Sequence, residues 1–259
     1  MTMKKIEILG IPFHAITVDE TLDTLESYLD TDRNHVIITP NPEGVMQARR
    51  NPAFANAIKN ADLSLADGTG IVLAAKLKGL KIPGRVRGLD TIFAIFDRLS
   101  KQYEEDCGSG GAMTDATAQS GRGFTAYFFG GEPGVAETAK QNMEKRYPGL
   151  NVVGYHHGFF TDDTDIIAEI NALQPDFLLV CIGMPRAELW ATQNKSVNAK
   201  ITMCLGGTID VMAGTAQLAP SFLRKIGLEW LYRLIKQPSR FKRQLDLPRF
   251  VLAVLFRKK

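Results

Sequence analysis

The chain has 259 residues, of which 45% are hydrophobic and 23% charged, with a formal net charge of +3. Those proportions exclude collagen-like, coiled-coil and largely disordered chains and leave a globular protein with a real core. The near-neutral total conceals an asymmetry: residues 224–259 hold eleven basic and two acidic side chains, a net +9, so the first 223 residues carry −6.

At the N-terminus, Lys4 and Lys5 precede apolar residues, but Glu7 and Pro12 interrupt the run, and no secretory core of sufficient length forms. From there the chain alternates between short β-rich runs and helical patterns. VIITPNPE precedes GVMQARRNPAFANAIKN, LSLADGTG precedes IVLAAKLKG, and FTAYFFGGEPG precedes VAETAKQNMEKRY. NVVGYHHGFF, FLLVCIGMP and ITMCLGGTIDV continue the series, the first two each followed by a helical pattern and the last by the basic tail. This repetition predicts an α/β fold, a Rossmann-like, mostly parallel sheet with helices on both faces. Ligands of such sheets bind outside the carboxyl ends of the strands, so the turns TPNPE, ADGTG, GGEPG and LGGTID are the candidate site. Residues 104–123, polar and rich in Gly, Ser and Ala, read as a flexible insertion. Cys107, Cys181 and Cys204 have no CxxC spacing; Cys181 and Cys204 sit in apolar runs and read as core residues.

Asp67 follows a strand and precedes a helix, between residues small enough for close approach, which suits either a general base or a helix cap. Thr39 and Asn41 lie in a turn fixed by Pro40 and Pro42; their hydroxyl and amide suit a sugar or phosphate, and equally a turn. Gly130 and Gly131 open a helix whose first N–H groups suit an anion, and Gly206 and Gly207 precede Asp210, a candidate for ribose hydroxyls. Asp-x-Asp at 30–32 and 163–165 lies at predicted helix ends, where capping accounts for it. The neighbours His156 and His157 point to opposite faces of a strand, so no metal site is expected. GxSxG, Walker A and HExxH patterns are absent from the sequence.

In the tail, Leu228, Leu231, Leu234 and Ile235 recur at helical spacing, and Arg233, Arg240 and Arg243 would share a face of a continuous helix. Pro238 is expected to break or kink that helix. Clustered arginines suit a diphosphate, and the interleaved Trp230, Tyr232, Phe241, Phe250 and Phe256 suit an anionic membrane surface. A solvated basic helix or a nucleic-acid patch fits the same composition. The apolar run Phe250 to Phe256 is far below the roughly 20 residues of a membrane span.

Together these motifs resemble the WecB/TagA/CpsF family of bacterial glycosyltransferases (glycosyltransferase family 26). The resemblance runs from about Ile8 to Arg249 through TPNPE at 39–43, ADGTGIV at 66–72, GRVRGLD at 84–90 and FFGGEPG at 128–134. It continues through GGTIDVMAG at 206–214 and GLEWLYRLIKQPSRFKRQ at 227–244. It implies a catalytic domain over 1–223 and a C-terminal appendage over 224–259 that serves both the membrane and the active site. It further implies an inverting, metal-independent enzyme that needs no cofactor. Such an enzyme moves a hexose, typically N-acetylmannosamine, from a UDP-sugar to an undecaprenyl-diphosphate-linked sugar at the inner face of the cytoplasmic membrane. Asp67 would be the general base, with Thr39 and Arg85 in the same pocket. Asn41, Gly68, Gly130, Gly131, Glu188, Gly206, Gly207 and Asp210 would bind substrate, and Arg233, Arg240 and Arg243 would grip diphosphate. Under this resemblance the tail serves a lipid diphosphate rather than a nucleic acid, and a homo-oligomer is compatible with it.

The sequence departs from the family where Pro-Lys-Gln-Glu is usual: here it reads Pro185-Arg186-Ala187-Glu188, with a methyl group in place of a side-chain amide. That change leaves open another donor such as UDP-glucose, or a nucleotide-sugar-binding protein without activity.

Overall fold

The computed structural model describes residues 3–108, 123–225, 227, 229–236, 238 and 241–256. Two short strands, β1 (Lys5–Ile8) and β2 (Ile11–His14), form an antiparallel hairpin. Its turn, Leu9-Gly10, has φ of 54° and 89°, the left-handed pair that a two-residue hairpin turn requires. The hairpin is tied to the sheet edge by His14, whose Nδ1 accepts the backbone N–H of Ser64 at 3.0 Å. Burial, with Lys5 nearby, lowers the pKa of His14 to about 4, which keeps that nitrogen a hydrogen-bond acceptor.

Among the described residues, six strands form one parallel sheet in the order β4-β3-β8-β7-β5-β6. They are β3 (His35–Ile38), β4 (Leu63–Ser64), β5 (Phe124–Gly130), β6 (Leu150–His156), β7 (Phe177–Cys181) and β8 (Ile201–Cys204). The central strands read as continuous apolar runs because both faces are covered. Alternate side chains serve the two faces: Val36, Ile38, Leu178 and Val180 join one core, and Ile37, Phe177 and Leu179 the other.

The first core is covered by α2 (Pro42–Ala48), α3 (Pro52–Asn60), α4 (Thr69–Leu77), α7 (Thr164–Leu173) and α8 (Arg186–Gln193), together with the hairpin. The second is covered by α1 (Val18–Leu29), α5 (Gly88–Gly108), α6 (Val135–Arg146) and α9 (Thr208–Ala213). The predicted doubly covered sheet is the observed one, and Cys181 and Cys204 are buried in it. Helix α5 carries on to Gly108, so residues 104–108 of the expected insertion are helical, while 109–122 lie outside the described residues.

The tail continues as α10 (Ser221–Lys225), α11 (Glu229–Lys236), α12 (Phe241–Gln244) and α13 (Asp246–Phe256). Helix α11 is bounded at Lys236, two residues before Pro238, where the break is expected. The last helix is not a loose extension. Its Phe250 and Val254 are buried in the first core, against the side of the sheet that α2 and α4 cover. Burial of this kind stabilises by about 2 kcal/mol per side chain.

Candidate functional site

Three turns meet at the carboxyl edge of the sheet because β3 lies between β4 and β8. After β3, Asn41 caps α2: its Oδ1 accepts the N–H of Gly44 at 2.8 Å, and Pro42 occupies the first turn. After β4, the backbone N–H of Asp67 donates to the carbonyl of Pro40 at 3.3 Å, which ties the second turn to the first. The two turns pack so closely that a Cβ on Gly70 would lie 2.6 Å from Cγ of Pro42. The third turn, Leu205-Gly206-Gly207, leads from β8 into α9.

Two of the cavities formed by the described residues open along this edge and share Asn41, Asp67 and Arg87. The larger, about 460 Å³, is bounded by Glu43, Gly68 and Arg85 of the body and by Glu229, Trp230 and Val251 of the tail. The smaller, about 120 Å³, is bounded by Thr39, Ala187, Glu188, Gly206, Gly207 and Thr208. Asp67 therefore stands where the two spaces meet.

Glu188 on α8 is 7% exposed, and its Oε2 finds no hydrogen-bond partner among the described residues. Burial pushes its carboxyl up to about 7. Arg87 is also buried; its Nη2 donates to Oε1 of Glu229 at 2.8 Å, and its Nη1 lies 3.2 Å from Oδ2 of Asp90. Two more ion pairs fasten the tail. Arg243 Nε donates to Oε1 of Glu43 at 2.5 Å, and Arg50 binds both oxygens of Asp246, at 2.9 and 2.5 Å. The hydrogen bonds from Arg50 hold the Asp246 carboxyl below the usual carboxylate range.

Of the residues singled out in the sequence, Thr39, Asn41, Asp67, Gly68, Arg85, Glu188, Gly206 and Gly207 come together around these two cavities. Gly130, Gly131 and Asp210 line neither. Gly130 pairs with Cys181 at the end of β5, and the Gly131 carbonyl accepts the N–H of Gly158. Asp210 lies in α9, its carbonyl taken by Ala216 N–H and the Thr215 hydroxyl. Arg243 is engaged with Glu43, and Arg240 and the side chain of Arg233 lie outside the described residues. Both Asp-x-Asp sequences do fall at helix ends, but the capping carboxylate of α7 is that of Asp162, which accepts the N–H of Thr164 at 2.9 Å. Asp163 instead accepts from the indole of Trp190 at 2.7 Å.

Arg87, Glu43 and Glu229 were not among the residues singled out. Arg87 belongs to GRVRGLD, but residues 81–87 form neither helix nor strand, so no periodicity distinguishes its direction from that of Arg85. Glu43 and Glu229 carried no signal beyond their motifs, since their partners lie far away in sequence.

A doubly wound parallel sheet with an arginine-lined cleft at its carboxyl edge defines a class of α/β enzyme that takes its ligand at the strand ends. Within that class, the chain belongs to the glycosyl transferase WecG/TagA/CpsF family, whose model matches residues 6–114 and 109–259, and it is a glycosyltransferase. Its relatives include proteins named N-acetylglucosaminyldiphosphoundecaprenol N-acetyl-beta-D-mannosaminyltransferase. The one from Bacillus spizizenii is 29% identical over 230 residues, covering 88% of this chain and 82% of the relative. That of Bacillus subtilis is 27% identical over 255 residues, covering 98% and 92%, and that of Staphylococcus aureus strain MRSA252 is 26% identical over 254 residues, covering 96% and 92%.

Proposed function

We propose that the protein transfers N-acetylmannosamine, with inversion, from a UDP-sugar to the terminal N-acetylglucosamine of a polyprenyl-diphosphate-linked acceptor. The observation that carries this reading is the position of Asp67 at the meeting of the two cavities, with Arg85 and Arg87 beside it. In a single displacement, the acceptor hydroxyl attacks the anomeric carbon as its bond to the UDP oxygen breaks, and Asp67 takes the hydroxyl proton. The guanidinium groups of Arg85 and Arg87 offset the charge that grows on the departing diphosphate, the task a metal ion serves in other transferases. The smaller cavity, with Glu188 and the Gly206-Gly207 turn, suits a compact polar part of the donor. The larger, with Trp230 and Val251 at its tail side, suits an acceptor that carries a lipid.

An acceptor that carries a lipid would bring the membrane beside the larger cavity. The two helices that contribute Thr69 and Val251 to its lining also carry exposed apolar side chains: Leu252, Leu255 and Phe256 on α13, and Leu73 and Leu77 on α4, with Phe256 78% exposed. Among the described residues, no helix is long and apolar enough to cross a membrane. The surface, with the net +9 of the tail, fits peripheral attachment to an anionic bilayer.

Ala187 lines the smaller cavity, where a methyl group leaves room for a different hexose. A panel of UDP-sugars, incubated with a polyprenyl-diphosphate-N-acetylglucosamine acceptor, tests both readings. Transfer from UDP-N-acetylmannosamine with an inverted anomeric centre is expected. Transfer only from another UDP-hexose would replace the donor, a retained configuration would overturn the single displacement, and binding without transfer would make the protein a carrier.

A further inference from the structure

Among the described residues, Arg87 is the cation that both cavities share; Arg85 borders only the larger of the two. It is 5% exposed, and such a buried guanidinium needs carboxylate partners to offset lost hydration. Asp90 is its neighbour on α5 but is half exposed, so solvent screens that pair. Glu229 is different: it is 14% exposed, reaches Arg87 from 142 residues further along the chain, and lies at the first residue of α11. The backbone beside Arg87 is fixed as well. A Cβ on Gly88 would lie 2.6 Å from Leu205 and 3.0 Å from Thr39, so the start of α5 is pressed onto the ends of β8 and β3. One end of the Arg87 side chain is thus set by the sheet and the other by the tail.

We propose that Arg87 binds the diphosphate of the donor, and that Glu229 is the positioning residue through which the docked tail aims it at the junction of the two cavities. A guanidinium carries five N–H donors in one plane, so it serves a carboxylate and a phosphate together. Docking of the tail therefore does more than close the cleft: it orients a body-borne cation beside Asp67. The inference rests on the UDP-sugar reading and deepens it.

The test uses the full-length protein, with UDP as probe by calorimetry and limited proteolysis to follow tail docking. Arg87→Gln is expected to weaken UDP about 10- to 100-fold, the loss of one charge-assisted contact. Glu229→Gln still accepts a hydrogen bond, so the tail is expected to stay protected while kcat falls about tenfold, with KM nearly unchanged. Glu229→Asp is expected to recover part of that loss. The charge exchange, Arg87→Glu with Glu229→Arg, is expected to restore tail protection but not UDP binding. An exchange that restores both would make the pair a structural latch and overturn the proposal, as would Arg87→Gln binding UDP as tightly as the parent. A parent protein that binds no UDP would instead overturn the donor reading, and this inference with it.

Discussion

At the carboxyl edge of the sheet, the Asp67 N–H donates to the Pro40 carbonyl of the neighbouring turn and the Asn41 Oδ1 accepts from Gly44 within its own, in turns that rise from fully buried strands. Among the described residues, 229–236 and 241–256 are held to the body by three ion pairs and by the buried side chains of Phe250 and Val254. Two of those pairs, Arg50–Asp246 and Arg243–Glu43, have arginines about half exposed, which limits what each contributes. The edge is therefore continuous with the core, and the tail is expected to be released before the body unfolds. The proposed lipid-linked acceptor would need that combination: fixed chemistry, and a cover that admits a large amphiphile.

The strongest way to separate the two regions is chemical. Asp67→Asn keeps the shape of the edge but removes the base, so transfer is expected to fall about 10³-fold while UDP affinity and tail protection stay unchanged. Unchanged turnover would remove Asp67 from the mechanism. On stability, Glu188 gives the larger effect. Its carboxyl rises from an ordinary value of 4.5 to about 7 on burial, so between those values the folded protein holds a proton that the unfolded chain releases. Stability should then decrease as pH rises from 4.5 to 7, by about 3 kcal/mol in all. Glu188→Gln should flatten that part of the profile and exceed the parent in melting temperature at pH 8; parallel profiles would refute the assignment.

A smaller effect is expected in the tail. Asp246→Ala leaves Arg50 and Arg249 with neither charge nor acceptor at that position, at a cost of about 2 kcal/mol in docking. Proteolysis of the tail should accelerate about 30-fold by the same free energy, while the body's melting temperature stays put. A parallel fall in both would mean that tail and body unfold as one unit. The smallest change is expected from Leu252→Ser or Leu255→Ser, each lowering affinity for anionic vesicles about three- to tenfold. No change for either would place the membrane on another face.

Much of the edge was legible in the sequence for a physical reason. A strand that ends in a turn and is followed by a helix fixes which end of the sheet the turn occupies, so TPNPE, ADGTG and LGGTID fall on the same edge. The same rule led to Asp210, whose Oδ2 lies 3.2 Å from where a Cβ on Gly207 would stand, and to Gly130 and Gly131, which line neither cavity. It gives the edge but not the strand order, and β5 is separated from β3 by β7 and β8. The hairpin at the N-terminus was not read at all, since each of its strands has only four residues and its turn uses Leu9 where Asn or Gly is the usual signal.

The sequence by itself determined the α/β class, the alternation that covers both faces of the sheet, the identity of the edge that carries Asp67, and the charge contrast between body and tail. These depend on periodicity and composition, which are local or additive. Only the tertiary structure decided that Arg87 rather than Arg85 joins the two cavities, that Arg243 meets Glu43, and that Glu229 reaches Arg87. Each of these contacts joins residues remote in sequence or depends on strand order, and a side chain's partner across such a distance leaves no trace in its own neighbourhood.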